Sequence, residues 1–256
     1  IEVDYPHWRT SRWAFGRLPH HVLTTSERIA KGLVEALRLE PDHVTCIPTG
    51  VDTNLFHPNT SGKLHEELGL SADTPLLGMV AVLRSWKGHE FFIRAAGLME
   101  TTKPHLVIAG EGNQARQAKF QQWANEAGVA DRLHMLGYRA DIPNILASLT
   151  CLVLPSTAHE GIPQIVLQAQ AAGRPVVGTK VGGIPEVVKD GDTGLLVPPQ
   201  DADALAEAMD QVLQDKNLAN RLGRTGQTQA NTSHSLEAMC SQLEELYQRY
   251  LSGSSS

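Results

Sequence analysis

The sequence predicts an α/β protein with a doubly wound parallel sheet, and three observations predict it. Short apolar runs rich in β-branched residues recur along the chain, helical patterns alternate with them, and six strand candidates follow one clear break in that rhythm. Strands are expected at 21–25, 44–48, 76–82, 105–109, 133–136, 151–155, 175–179 and 195–198, with helices at 27–39, 89–99, 115–127, 163–172, 202–215 and 236–251. The break is the stretch 50–71, where Pro58, Asn59, Ser61 and Gly62 carry turn chemistry and no strand pattern appears before Pro75. It reads as a domain linker. Two strands before it are too few for an independent sheet, while six after it suffice for a domain of ordinary size. The chain also starts at Ile1 and runs straight into a structured pattern, so a fragment of a longer polypeptide is expected.

Bulk properties narrow the function. A net charge of −6 over 256 residues argues against a surface that grips a nucleic-acid backbone, yet leaves room for a local basic pocket holding a small phosphate ligand. Cys46, Cys151 and Cys240 lie far apart, the first two in apolar strand-like runs, which suits reduced intracellular thiols rather than a disulfide framework or a metal knuckle. No apolar run approaches the roughly 20 residues of a spanning helix, and the start lacks a secretion layout, so a cytoplasmic protein is expected.

The most informative stretch runs from Pro155 to Val177 as strand end, loop, helix, glycine stop and next strand. Pro163 suits a first helical turn and Gly173 a C-terminal cap. Free amides near Gly161, Ile162 and Gln164 then face outward beyond the carboxyl end of a parallel strand, where this fold class commonly holds phosphates. Glu160 sits at the lip. Ile165, Ala169 and Ala172 have the spacing of a core face, whereas Gln164 and Gln168 share a face that can look toward a ligand. The plainer reading, equally open on this stretch alone, is that Glu160 only favours the helix start electrostatically and the glutamines are solvated.

A second constellation, from Val80 to Glu90, puts Arg84 and Lys87 at another strand's carboxyl end, where two cations can neutralise a diphosphate. Exposed loop charges are the alternative. Gly110-Glu111-Gly112 with Ala115 matches a dinucleotide-binding fingerprint literally, but it follows a middle strand and lacks a well-placed acidic partner downstream. Gly182-Gly183 with Pro185 and Glu186 is turn and helix-start chemistry, with a ligand-facing glycine pair as the other reading. Tyr5, Trp8, Trp13 and Phe15 among Arg9, Arg12 and Arg17 could face nucleic acid or an anionic membrane, but such residues more often pack a helix onto a domain. His159-Glu160 opens like a zinc-protease helix, yet position 163 is proline, so the metal spacing fails and no metal site is expected.

Taken in order, the segments resemble the retaining glycosyltransferases of family 4, the glycosyl transferases group 1, which include bacterial lipopolysaccharide-core and phosphatidylinositol mannosyltransferases. The resemblance covers nearly all of the chain from His20 onward. Thr24-Thr-Ser-Glu, Ile47-Pro-Thr-Gly-Val-Asp and Phe56-x-Pro are similar to the end of that family's N-terminal domain and its linker. Leu83-Arg-x-x-Lys-Gly-His, Gly110-Glu-Gly, Leu136-Gly-Tyr, Glu160-Gly, Ala172-Gly-x-Pro-Val-Val and Gly182-Gly-x-Pro-Glu resemble its C-terminal domain.

The resemblance implies the two-Rossmann-domain (GT-B) fold. Residues 1–57 would be a remnant of the acceptor-side domain with its linker, 58–235 the donor-binding domain, and 236–256 a helix packing back toward the first segment plus a frayed tail. It also implies retaining transfer of a sugar from a nucleoside diphosphate sugar to a hydroxyl of a saccharide or glycolipid acceptor, as in lipopolysaccharide or polysaccharide synthesis. No metal or other cofactor is implied, and peripheral contact with the inner membrane face would come through the N-terminal domain. Glu160, Lys87 and Arg84 would serve the reacting centre. Gly110, Glu111, Gly112, Tyr138, Arg139, Gly161, Ile162, Pro163, Gln164 and Gln168 would hold the nucleotide. Two positions depart from the family: Gln168 stands where a second glutamate is usual, and Val82 where an arginine is frequent. A nucleotide-sugar-binding module without turnover is therefore the alternative. A sugar-nucleotide epimerase and a nicotinamide-dependent oxidoreductase are more distant readings.

Overall fold

The computed structural model describes residues 13–14, 21–100 and 102–253. Apart from Trp13, the aromatic and arginine residues of the opening segment lie outside these residues. Two short parallel strands, β1 (Val22–Thr24) and β2 (Val44–Cys46), flank helix α1 (Glu27–Leu37). Ser26 starts α1 by accepting the Ile29 amide on its hydroxyl, and Val22, Leu33, Leu37 and Leu39 form a small core beneath it.

After a short helix α2 (Leu64–Glu67), the chain alternates strand and helix. In order come β3 (Leu76–Val80), α3 (His89–Leu98), β4 (His105–Ala109), α4 (Gln114–Glu126), β5 (Leu133–Gly137), α5 (Ile142–Ser148), β6 (Cys151–Leu154), α6 (Gln164–Ala171), β7 (Val176–Thr179), α7 (Ile184–Val187) and β8 (Leu195–Val197). Three helices close the chain: α8 (Ala202–Gln214), α9 (Lys216–Ser233) and α10 (Leu236–Gly253). All strand pairs are parallel, in the order β5-β4-β3-β6-β7-β8. The winding therefore reverses between β3 and β6, and such a reversal opens a crevice at the strands' carboxyl ends.

Side-chain alternation builds one core on each face of the sheet. Leu77, Met79, Leu106, Ile108 and Val153 pack with Phe92 and Met209 on one side, while Leu76, Val107, Leu152 and Leu154 pack with Leu146, Val166 and Leu167 on the other. Cys151 is buried on the first face, where desolvation pushes its thiol up to about 12. All six strands expected after the linker are present, displaced by a residue or two at their ends. The sequence reading omitted α9. Its buried stripe is Leu218, Leu222, Gly223, Gly226 and Ala230, and a Cβ on Gly223 would stand 2.4 Å from the Gly173 carbonyl oxygen. Glycines that look like helix breakers here let two backbones approach closely.

The linker is anchored rather than loose. The Val51 amide donates to the His234 carbonyl (2.7 Å), the Leu236 amide donates to Val51 (3.1 Å), and the Gly50 amide reaches the Met239 sulfur. Tyr250, near the end of α10, bonds His21 Nδ1 at 2.5 Å, and His21 Nε2 bonds the Thr45 hydroxyl at 2.8 Å. Among the described residues no helix is long and apolar enough to cross a membrane.

Candidate functional site

The two strands that flank the reversal end in the two loops singled out by the sequence. After β3, Arg84 leads into a tight turn over Ser85–Lys87, and Gly88 follows with φ 79°. A Cβ on Gly88 would lie 1.8 Å from the Pro155 carbonyl oxygen, so glycine is what lets this loop rest on the end of β6. A second tie is the Thr157 amide donating to the Trp86 carbonyl at 2.7 Å. Together they bring Lys87 and Glu160 into contact, Nζ donating to Oε1 at 2.6 Å, with the side chains 19% and 5% exposed. Ser156, fully buried, donates its hydroxyl to the same oxygen at 2.5 Å. Oε2 has no hydrogen-bond partner among the described residues.

The loop carrying Glu160 is held from behind by the glycine pair. A Cβ on Gly182 (φ 55°) would sit 2.0 Å from the Glu160 carbonyl oxygen, and one on Gly183 2.6 Å from the Gly161 oxygen. The Gly183 amide donates to the Glu160 carbonyl at 3.0 Å. Gly182-Gly183 thus leads into α7 as the expected turn and helix start, and packs closely on the backbone of the Glu160 loop. His159 takes a left-handed conformation (φ 59°) and places its ring edge-on to Trp86, centroids 5.8 Å apart. Neither Ser156 nor His159 was legible as a site residue, because no local pattern marks a strand-end serine or a left-handed histidine.

Pro163 precedes α6 as its cap, and the amides of Gly161, Ile162 and Gln164 donate to no protein acceptor among the described residues. A Cβ at Gly161 would meet nothing within 4 Å, so the space above it is open. The expected shared face of Gln164 and Gln168 is divided. The Gln164 side chain donates to the Gly50 carbonyl at 3.0 Å, tying α6 to the linker, and its Oε1 is buried without a partner; Gln168 is half-buried. Ala169 and Ala172 are buried as expected, Ile165 only partly, and Gln170 is fully buried on the Val187 carbonyl.

At the ends of β4 and β5, Gly110 donates its amide to the Gly137 carbonyl (2.8 Å), and Glu111 accepts the Leu83 amide on its carbonyl (2.9 Å). A Cβ on Gly110 would lie 1.9 Å from the Ala81 oxygen, and one on Gly112 would strike the Leu83 side chain. The literal dinucleotide fingerprint thus serves strand-loop packing. Tyr138 is 74% exposed at the rim, whereas Arg139 is bound to Asp141 (2.5 Å) and Glu67 (2.9 Å). These bonds hold the Asp141 carboxyl well below its usual range. Arg84 lies with its guanidinium carbon 5.5 Å from the Trp86 ring centroid. The structure thus joins Lys87 and Glu160 directly, with the Gly161 and Ile162 amides next along the chain from Glu160, and leaves Arg84 on the turn against Trp86.

A family model described as glycosyl transferases group 1 matches residues 61–229, which contain every residue of this arrangement. The chain belongs to that family. A D-inositol 3-phosphate glycosyltransferase of Corynebacterium aurimucosum is 31% identical over 237 residues, covering 88% of this chain and 56% of the relative. Among solved structures, a glycosyltransferase from Rickettsia africae superposes with a TM-score of 0.89 at 20% identity, covering 95% of this chain and 68% of that one. Anabaena Alr3699/HepE, in complex with UDP and glucose, superposes at 0.86 with 25% identity over 94% of this chain and 66% of that one. The six-stranded parallel sheet matches GT-B glycosyltransferase structures, as the family resemblance implies. The chain spans about half the length of the curated relatives it matches.

The family's Gly-Gly-x-Pro-Glu segment has a further role here. Glu186, on α7, accepts the Ser26 hydroxyl at 2.6 Å and the amides of Glu27 and Arg28 at 2.8 and 3.2 Å. A carboxylate on α7 thereby caps α1, which belongs to the segment before the linker. Glu186→Ala is expected to speed amide exchange in α1 by about tenfold, as a partly exposed charged cap worth about 1–2 kcal/mol is lost. Exchange in β3 and β6 should not change, and protection of α1 equal to the parent's would disprove the role.

Proposed function

We propose that the crevice over β3 and β6 binds a nucleoside diphosphate sugar, and that the chain is the donor half of a retaining, metal-independent glycosyltransferase. The Lys87–Glu160 pair carries this reading. It stands where the winding reverses, and each partner keeps capacity for a ligand: Lys87 two further N–H donors and Glu160 its second oxygen. The Gly161 and Ile162 amides lie alongside, open to phosphate oxygens. The UDP and glucose held by Anabaena HepE and the glycosyl transfer named for the inositol phosphate relative support such a donor.

In this reading Lys87, with Arg84 turned in from Trp86, and the helix-start amides stabilise the charge that develops on the departing diphosphate without reorganising. Glu160 holds donor-sugar hydroxyls and so aims the anomeric carbon at the acceptor. The bond from that carbon to the phosphate oxygen breaks as the acceptor oxygen bonds to the same face, and the acceptor's proton passes to the departing phosphate oxygen. Gln168 meets the ribose hydroxyls, and Tyr138 with the backbone of Gly110, Gly112 and Arg139 frames the base. The acceptor, a hydroxyl of a saccharide or glycolipid as in lipopolysaccharide or polysaccharide synthesis, would be held by an acceptor-side domain to which residues 1–57 contribute. That domain would also make any peripheral contact with a cytoplasmic membrane face.

The chain should bind a nucleoside diphosphate at least about tenfold more tightly than the matching monophosphate, because cations and amides converge on two phosphates. Equal affinities by calorimetry would overturn the reading. Activity with an acceptor-side domain supplied should persist in excess chelator, since fixed cations do the electrostatic work; loss on chelation restored by a divalent ion would reject metal independence. Gln168 favours the second reading, a binding module without turnover, and donor hydrolysis separates the two.

A further inference from the structure

Beside the donor crevice, a pocket of about 470 Å³ opens between the first turns of α3 and α4, and neither Lys87 nor Glu160 lines it. Arg116 and Lys119, three apart on α4, present cations to it, while Arg84, assigned above to the donor phosphates, reaches only its edge from the β3–α3 loop. The carboxylate in the lining, Glu90, is already paired with Arg94 at 2.9 Å. The pocket is therefore a local concentration of positive charge in a chain of net charge −6.

Its apolar walls are equally specific. Phe120 and Trp123 stack with centroids 5.4 Å apart, and the Lys119 ammonium lies 5.0 Å from the Trp123 ring centroid. His89, also in the lining and only 2% exposed, stacks on Phe120 at 4.8 Å, and its Nε2 has no hydrogen-bond partner. Burial lowers the His89 pKa to about 4, so the ring is neutral at physiological pH and carries an unsatisfied buried nitrogen. Such an atom is destabilising unless something meets it.

We propose that this pocket is a second ligand site, separate from the donor crevice, for a phosphomonoester carried on a small flat apolar body. Two cations from α4, with the carboxylate in the lining already paired, suit a phosphate, the stacked aromatic wall suits a planar body, and the volume falls within the ordinary range of small-molecule sites. A soluble aryl or nucleoside phosphate has both parts, whereas a phosphomonoester lipid shares the phosphate but lacks the flat body.

Phenyl phosphate is the probe, titrated calorimetrically into the 256-residue chain with and without saturating nucleoside diphosphate. Saturable binding is expected in both, and Arg116→Gln with Lys119→Gln should weaken it by about tenfold or more, while nucleoside diphosphate affinity stays within about twofold. Lys119 is exposed and Arg116 half-buried on α4, an unchanged far-ultraviolet spectrum checks that the double variant folds, and Lys119→Arg should retain binding. Phosphatidylcholine vesicles with and without phosphatidic acid separate the sources. Phenyl phosphate binding without capture supports the proposal, and capture by phosphatidic acid that the double variant loses would show that the phosphate alone suffices and overturn the planar-body assignment. Absence of saturable binding, complete displacement by nucleoside diphosphate, or binding unchanged in the double variant overturns the proposal. If nucleoside diphosphate fails to bind while phenyl phosphate does, the donor reading falls and the pocket stands.

Discussion

Glu160→Gln should cut sugar transfer by about 10²-fold or more while nucleoside diphosphate affinity changes by less than about threefold. The geometry explains the split. Oε1 already accepts from Lys87 at 2.6 Å and from Ser156 at 2.5 Å, and a glutamine can keep both bonds only by presenting its carbonyl oxygen there. Its amide nitrogen then replaces Oε2, so an acceptor becomes a donor at the position assigned to the donor-sugar hydroxyls. Phosphate contacts through Lys87 and the Gly161 and Ile162 amides survive, and binding survives with them. Transfer measured with an acceptor-side domain supplied, alongside calorimetry with the nucleoside diphosphate, tests both halves. Normal turnover, or loss of nucleotide binding altogether, would show that Glu160 does not stand beside the sugar.

The sequence disclosed the sheet because the central strands are buried on both faces and read as short unbroken runs without charge, as in Cys151–Leu154 and Val176–Thr179. It did not disclose α9, whose glycines and threonines imitate a loop while its small stripe packs on α6. Lys87 and Glu160 were each legible from position, at strand ends before helix starts. Their ion pair was not, since 73 residues separate them and only the reversal of winding places their strands side by side. The side chain of Gln164 misled for a related reason: helical spacing gives a face but not what occupies it, and here the linker does. Glu186 shows the same limit, its partners on α1 lying 158 to 160 positions away.

Gly182→Ala should be severely damaging, because it strikes the loop that carries Glu160. A Cβ at Gly182 falls 2.0 Å from the Glu160 carbonyl oxygen and 2.9 Å from its Cβ, so either the loop bearing Glu160 shifts or the turn into α7 unwinds. The colliding atoms are largely backbone, with no flexible side-chain end to swing aside, and φ 55° adds strain for any L-residue. A loss of about 3 kcal/mol or more in unfolding free energy is expected, with transfer falling at least as far as in Glu160→Gln because the carboxylate leaves Lys87. Gly191→Ala provides the calibration. There φ is 75° but a Cβ meets nothing within 4 Å, so only conformational strain applies and the cost should be about 1 kcal/mol. Urea unfolding of the two variants separates the effects, and equal destabilisation would mean that backbone strain alone, not the packing of Gly182 against Glu160, fixes this residue.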